Sequence, residues 1–334
     1  MAGIFNTQEE IKEVFSAPNI GNELGSIKSY LDTSAITYVQ PYLSVAQWDK
    51  LVTDFEEGVS TEPHTKLLQK VRAAIIHFAY LLYADDGDMQ ISDSGFTRLE
   101  GDGEKTAYSG QIQKFKRARL RDGWNAIEDM LRLLQSDKST YNLWAASDEY
   151  KNIKSFFIWN TNEYRKYRSI KNLGVLDALE GCTVSIQDDI IRTNIGDELY
   201  ALLKTELAAD NFSADNKLII PFINKAIAHL IVERGMDEGL IQFSDEGVSI
   251  ISFEDKERGG MKIDPADIQR YSIVKSEAKK KGDSAIKELR NFLNKNASVT
   301  KYPTYFTSEL YDDPTDNTNK QTFQNKTGGT FFAR

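Results

Sequence analysis

The sequence of 334 residues is poor in the side chains that hold metals and crosslinks: it has one cysteine, Cys182, and three histidines, His64, His77 and His229. A single cysteine excludes an intramolecular disulfide and a cysteine-built zinc site, and three scattered histidines leave little for any other metal cage. No metal or cofactor is expected. Long apolar runs are missing too, since the most apolar stretch, Ala73 to Ala84, is interrupted by His77 and falls short of the roughly 20 residues that span a bilayer. The opening MAGIFNTQEEIKEVF carries acidic residues where a signal peptide carries basic ones and has no apolar segment. Export by that route is therefore not expected, and a soluble, cytoplasmic protein is. Nor is there an excess of positive charge: 41 basic residues stand against 50 acidic ones, a net charge of -9. That balance argues against a strongly basic nucleic-acid binder, whose affinity rests on neutralised phosphates, though it leaves room for local basic patches. The chain also has no Gly-rich phosphate loop, no metalloprotease helix and no Gly-x-Ser-x-Gly elbow, which makes an enzyme the weakest of the functional classes.

What is present points to a globular chain with an internal repeat. Apolar residues make up 40% and aromatics 11%, enough for a packed core. The length suggests two domains at about 150 residues each. Ala74-Ile75-x-His77 recurs as Ala226-Ile227-x-His229, 152 residues later, and Gln90-x-Ser92-Asp93-x-Gly95 recurs at the same spacing as Gln242-x-Ser244-Asp245-x-Gly247. Between positions 74 and 95 this ungapped register yields nine identities, where chance gives roughly one or two. It extends back through Trp48 and Tyr200, Leu51 and Leu203, and Leu43 and Ile195. Near the start, Ile4-x-Asn6-Thr7-x-Glu9 matches Ile158-x-Asn160-Thr161-x-Glu163. Further on, Gly123, Ala126 and Ile127 match Gly282, Ala285 and Ile286, and Tyr141-x-x-Trp144-x-x-Ser147-x-x-Tyr150 matches Tyr302-x-x-Tyr305-x-x-Ser308-x-x-Tyr311. The offset drifts as small loop insertions in a tandem duplication would make it drift, and the period is far too long for a solenoid.

Each copy reads as mostly helical. Leu67, Val71, Ala74, Ile75, Phe78 and Leu82 fall on one helical face, answered by Ile219, Ile220, Ile223, Ile227, Leu230 and Ile231. Thr33 to Glu56, with Ile36, Val39 and Leu43 before Trp48, Leu51 and Phe55, reads as two helices hinged around Pro41 to Ser44. A long helix from about Thr106 to Gln135 presents Leu120, Trp124, Ile127, Leu131 and Leu134, and its counterpart from about Pro265 to Asn294 presents Ile286, Leu289 and Leu293. Alternation around the two Ser-Asp-x-Gly turns predicts a β-hairpin in each copy. The expected fold is mainly α: two tandem duplicated helical-bundle domains, 1–152 and 153–313, each with a short β-hairpin, followed by an extended C-terminal arm, 314–334.

Most candidate chemistry has a plainer explanation. His77 and His229 occupy equivalent places beside a core face, which favours packing over catalysis. Adjacent Ser92-Asp93 and Ser244-Asp245 cannot form the chain of nucleophile, base and orienting group that activates a serine, so they read as turn residues. The run Asp85-Asp86-x-Asp88 lacks the spaced ligands and terminal Glu of a calcium loop and reads as a solvated loop. The basic cluster Lys114, Lys116, Arg117, Arg119 and Arg121 is echoed by Lys275, Lys279, Lys280 and Lys281 on the matching helix. It is either a solvated face or a docking surface for an acidic partner or a phosphate backbone. In the polar tail after Pro314, Phe323, Phe331 and Phe332 are the large apolar side chains. Such a tail cannot fold alone, and an arm laid on a neighbouring subunit, with these aromatics as anchors, would satisfy them.

The doubled Asn-Thr-x-Glu opening, the helix pairs around Pro41-Tyr42-Leu43, the Gln-x-Ser-Asp-x-Gly turn, the long helix and the closing Tyr-x-x-Trp/Tyr-x-x-Ser-x-x-Tyr together resemble virion proteins of phages infecting gut Bacteroidetes, crAss-like phages included. Those proteins in turn look like head-tail connector, or adaptor, proteins of tailed phages. The resemblance covers nearly the whole chain before the tail and carries no catalytic residue. It implies a helical adaptor found in the virion after assembly in the host cytoplasm. It further implies a ring of twelve subunits between the portal protein and the next tail ring protein, which lets double-stranded DNA pass without specific binding and touches no membrane. The duplication departs from a single-domain adaptor. A cytoplasmic helical scaffold unrelated to virions is the alternative class.

Overall fold

Paired amphipathic helices with matched apolar faces dictate a helical fold, and the computed structural model shows one. It describes residues 3–14, 24–86, 90–92, 95–97, 109–239, 241–244, 247–250 and 265–315. The first half runs through α1 (Gln8–Val14), α2 (Leu24–Ser34), a π-turn (Ala35–Val39), α3 (Gln40–Leu43), α4 (Val45–Glu56) and the long α5 (Glu62–Asp86). Strands β1 (Gln90–Ser92) and β2 (Gly95–Thr97) pair antiparallel, and α6 (Ser109–Ser136), α7 (Asn142–Ala145) and α8 (Asp148–Ile153) follow. The second half repeats the order with α9 (Thr161–Arg165), α10 (Leu173–Ala178), α11 (Glu180–Ser185), a π-turn (Ile186–Ile191), α12 (Arg192–Ile195), α13 (Asp197–Ala208) and α14 (Ala214–Asp237). Strands β3 (Ile241–Ser244) and β4 (Gly247–Ile250) pair antiparallel, and α15 (Pro265–Asn296) and α16 (Pro303–Phe306) close the described chain. Helices α3 and α12, and likewise α4 and α13, begin and end 152 residues apart, the spacing of the two histidines.

The core of each half lies between its two long helices. Leu67, Val71, Ile75 and Phe78 of α5 are buried with Ile127 and Leu134 of α6, and Ile223, Ile227 and Leu230 of α14 with Leu289 and Leu293 of α15. One glycine in each pair permits the approach. A Cβ on Gly123 would stand 2.8 Å from the Phe78 ring, and one on Gly282 2.5 Å from the Leu230 side chain. Phe78 and Leu230 are themselves 152 residues apart, so the same small-against-large contact is built twice.

The ends of each half are tied back by equivalent hydrogen bonds. Tyr141 donates its hydroxyl to the carbonyl of Pro63 at 3.0 Å, and Tyr302 to that of Asp215 at 2.5 Å. Ser147 and Ser308 each donate to the carbonyl three residues earlier at 2.7 Å, a bond that fixes the turn after the aromatic residue. At the other end the chemistry differs while the task is kept. In the first half buried Arg72 of α5 donates to the Ile4 carbonyl at 2.9 and 2.6 Å and to Glu10 at 2.6 Å. In the second, Tyr164 of α9 donates to the Ala228 carbonyl of α14 at 3.0 Å.

The break expected around Pro41 to Ser44 falls at Ser44, whose φ of 71° lies in the left-handed region; Gly196 takes the same place with a φ of 85°. Ser44 offsets the strain by capping α4, accepting from the Gln47 amide. Pro41 sits inside α3 because the preceding π-turn widens the helix and moves the carbonyls that its ring would strike. The second half has Thr193 instead, and its widened turn is held by Thr193 donating to Asp189 and Asn194 to Ile190, at 2.7 and 2.8 Å. The π-turn also corrects one expected core position. It adds a residue to the turn and shifts the helical phase, leaving Ile36 60% exposed while Val39 and Leu43 stay buried. Leu120 is corrected as well, at 36% exposed, since the buried face of α6 begins at Gly123.

Gly123→Ala and Gly282→Ala should each destabilise the protein by about 1–3 kcal/mol through overpacking. Gly181→Ala in α11 meets nothing within 4 Å, so it should be neutral or stabilising by up to about 1 kcal/mol. Urea denaturation of the three variants checks this; equal effects at all three glycines would contradict the close-approach account.

Candidate interface: the cleft between the two halves

Helix α6 buries two faces. Ile127 and Leu134 face α5, whereas Trp124, Glu128 and Leu131 meet the second half. At the matching positions α15 carries Asp283, Lys287 and Arg290, so this second face is built in the first half only. Trp124 lies against Gly174 of α10, where even a methyl group would collide with the indole. The rings of Tyr38, Tyr42 and Phe78 meet Trp124 edge to face with centroids 5.5–6.4 Å away. Such aromatic pairs add about 0.5–1.5 kcal/mol each beyond area burial.

Polar bonds fasten the same contact. The buried Glu128 carboxylate accepts from the Thr161 hydroxyl at 2.6 and 2.8 Å and from the Thr161 amide at 3.2 Å, and Arg132 pairs with it at 3.2 Å. Asn160 caps the same short helix, accepting from the Glu163 amide at 2.9 Å. Asp210, in the loop between α13 and α14, accepts from Lys154 at 2.7 Å, Lys138 at 2.8 Å and Gln135 at 2.6 Å. Burial alone would raise the Asp210 pKa, but the hydrogen bonds from the two lysines outweigh it and hold the carboxyl below its usual range. Tyr42 donates its hydroxyl to Asp177 across the gap, and burial first, then the Asp177 charge, pushes its pKa up.

Between these contacts lies a cleft of about 450 Å³. Its walls are aromatic, from Tyr38, Tyr42, Trp124, Phe156 and Trp159, and three carboxylates, Glu149, Asp177 and Glu180, line it with them. Burial, then the neighbouring Asp177, raises the Glu180 pKa.

The sequence-derived candidates are placed elsewhere. Arg119 turns inward, donating to His77 Nδ1 at 3.0 Å and to Asp122 at 3.1 Å. An arginine can only donate, so the neutral His77 ring carries its proton on Nε2. Burial, then the Arg119 charge, pushes the His77 pKa down to about 4. His229 is buried, and burial followed by the charges of Arg168, Lys281 and Lys225 lowers it to about 4 as well. Among the described residues no group of three or more His, Cys, Asp or Glu side chains could hold a metal ion. In the expected second docking cluster two residues make ion pairs with α14, Lys275 with Asp237 and Lys279 with Glu233 at 3.4 Å. Lys280 is exposed. On α6, Lys114, Arg117 and Arg121 are exposed, with Arg121 bonded to Asp122 at 2.9 Å. Asp85 and Asp86 end α5, which corrects the expected loop there, while Asp88, Asp93, Asp245, Phe323, Phe331 and Phe332 lie outside the described residues. Among the described residues, no helix is long and apolar enough to cross a membrane.

Identities between the copies do not by themselves reveal this interface: Thr161 is shared with Thr7, but its partner Glu128 is aligned with Lys287. The informative signal is an apolar residue aligned with a charged one, as at Trp124 and Asp283 or Leu131 and Arg290.

Asp210 also makes a pH prediction. A depressed carboxyl contributes stability above its unfolded pKa, 3.8, and loses it as pH falls through the lower folded value. Asp210→Asn should therefore lower the melting temperature at pH 7. That difference should shrink as pH drops below about 4, as thermal melts across the acid range would show; a constant difference would refute the role given to the two lysines.

A family of unknown function, DUF6712, matches the chain over residues 29–154 and again over 191–315, and the chain belongs to that family. The double match agrees with a tandem duplication of a mainly helical unit. No curated protein and no solved structure matches the chain.

Proposed function

We propose that this protein is a structural virion component that assembles as a ring between the portal and the tail of a tailed phage, joining head to tail and letting the genome pass. In this reading the chain is two helical-bundle units, each with its short strand pair, and the polar arm from residue 314 crosses to a neighbouring subunit with Phe323, Phe331 and Phe332 as anchors. The observation that carries it is what the two copies hold in common. Gly123 and Gly282, the Tyr141 and Tyr302 tethers, and the paired left-handed residues Ser44 and Gly196 are devices of shape. Among the described residues duplicated chemistry is scarce, for the matching histidines are packed and neutral and their neighbours differ: Arg119 in one copy, the buried Ala278 in the other. Duplication that preserves packing suits a building block. The family resemblance in the sequence supplies the particular assembly, and a net charge of -9 suits a bore that should not grip phosphates.

The test is direct imaging of the purified full-length chain. Closed rings in negative stain, with a mass in multiples of the subunit, are expected. Particles that remain monomeric up to the solubility limit would overturn the ring, and would favour a cytoplasmic helical scaffold. Strong thermal stabilisation by a small metabolite would instead favour an enzyme.

A further inference from the structure

The cleft between the halves has an uneven chemistry. Carboxylates and aromatic faces line it, and among its lining residues there is no lysine or arginine. Its volume, about 450 Å³, lies within the range of sites that take a side chain or a small ligand. Aromatic faces attract cations, the more so when partly shielded from water. One wall already does so within the fold, as the Lys154 ammonium sits 5.0 Å from the centroid of the Trp159 ring. Asp177 at the end of α10 and Glu180 at the start of α11 line the cleft, and Glu149 faces it from α8.

The chain also carries a complementary surface. Lys114, Arg117 and Arg121 fall at spacings of three and four on α6, so they form one exposed stripe about 10 Å long at 1.5 Å per residue. The matching residues of α15 are Ile273, Ser276 and Lys280. The stripe therefore belongs to the first half alone, as the cleft is made only once per chain.

We propose that the cleft is the receptor in a subunit contact, and that its occupant is the basic stripe of α6 from a second copy of this chain. A guanidinium or ammonium group enters the cleft beside its aromatic walls and pairs with Glu180 and Glu149, while Asp177 remains bonded to Tyr42. Arg121 and Trp124 are one turn apart on the same face of α6, so stripe and cleft adjoin; made head to tail, the contact propagates into a closed ring when the rotation between subunits allows. The inference deepens the ring reading and rests on the chain assembling with itself.

Charge reversal tests it. Glu149→Lys with Glu180→Lys should weaken self-association at least about tenfold, and Lys114→Glu with Arg117→Glu and Arg121→Glu should do the same. An equimolar mixture of the two variants should recover association between them, because each supplies the intact charge pattern reversed. An unchanged melting temperature would confirm that the acidic-side variant folds; the milder Glu180→Gln serves if it does not. Carbodiimide crosslinking of subunits of natural and heavy isotope should join Lys114 of one copy to Glu149 or Glu180 of another. Assembly that ignores both reversals and yields no such crosslink would overturn this inference and leave the ring reading intact. Crosslinked pairs that never close would uphold the contact and overturn the ring. A strictly monomeric chain would overturn both. Spermidine binding that is lost in the acidic-side variant while self-association is unchanged would also overturn the proposal, showing that the cleft takes a free cation.

Discussion

Everything in each half depends on how closely two long helices can lie. Gly123 and Gly282 remove the side chain where Phe78 and Leu230 must pass, and the rows of Leu, Ile and Val on either side come into contact as a result. Once the pair is set, its partner elements have defined places: the closing Tyr tether reaches the start of α5 or α14, and the opening segment is bonded to the middle of the same helix. A core of this kind tolerates changes in how its edges are fastened. The two copies show as much, with an arginine clamp in one and a tyrosine hydroxyl in the other.

The second level of organisation is the joint between the halves, and it obeys a different logic. Trp124 against Gly174, Glu128 against Thr161 and Asp210 beneath two lysines are unique contacts with no counterpart in the other copy. Replacing a buried partner in such a network leaves the other unsatisfied, at a typical cost of about 1–3 kcal/mol. The joint is thus specific in direction: the first half presents the aromatic face and the second half receives it.

Much of the fold could be read in the sequence because duplication displays each constraint twice. Tyr141 and Tyr302, or Gly123 and Gly282, could be paired from spacing, although the reason for the glycines needed the packed helices. Ile36 and Leu120 could not be placed correctly, since a π-turn alters helical phase and the tip of a long helix outruns its core. The basic residues were visible as a cluster, yet charge alone did not separate Arg119, which turns inward to His77 and Asp122, from Lys114 on the exposed face. The cleft stayed hidden because Glu149, Asp177 and Trp124 are distant in sequence and meet only through the joint.

That joint changes the counting of symmetry. A chain whose halves were interchangeable could be stacked or closed with every helical pair in the same surroundings. Here one pair offers Trp124 and Leu131 where the other offers Asp283 and Arg290, so the halves are two distinct building blocks. In a cyclic assembly the repeating unit is therefore the whole chain, and the rotational order is half the number of helical pairs. A partner that recognises one half would find one site per chain, not two.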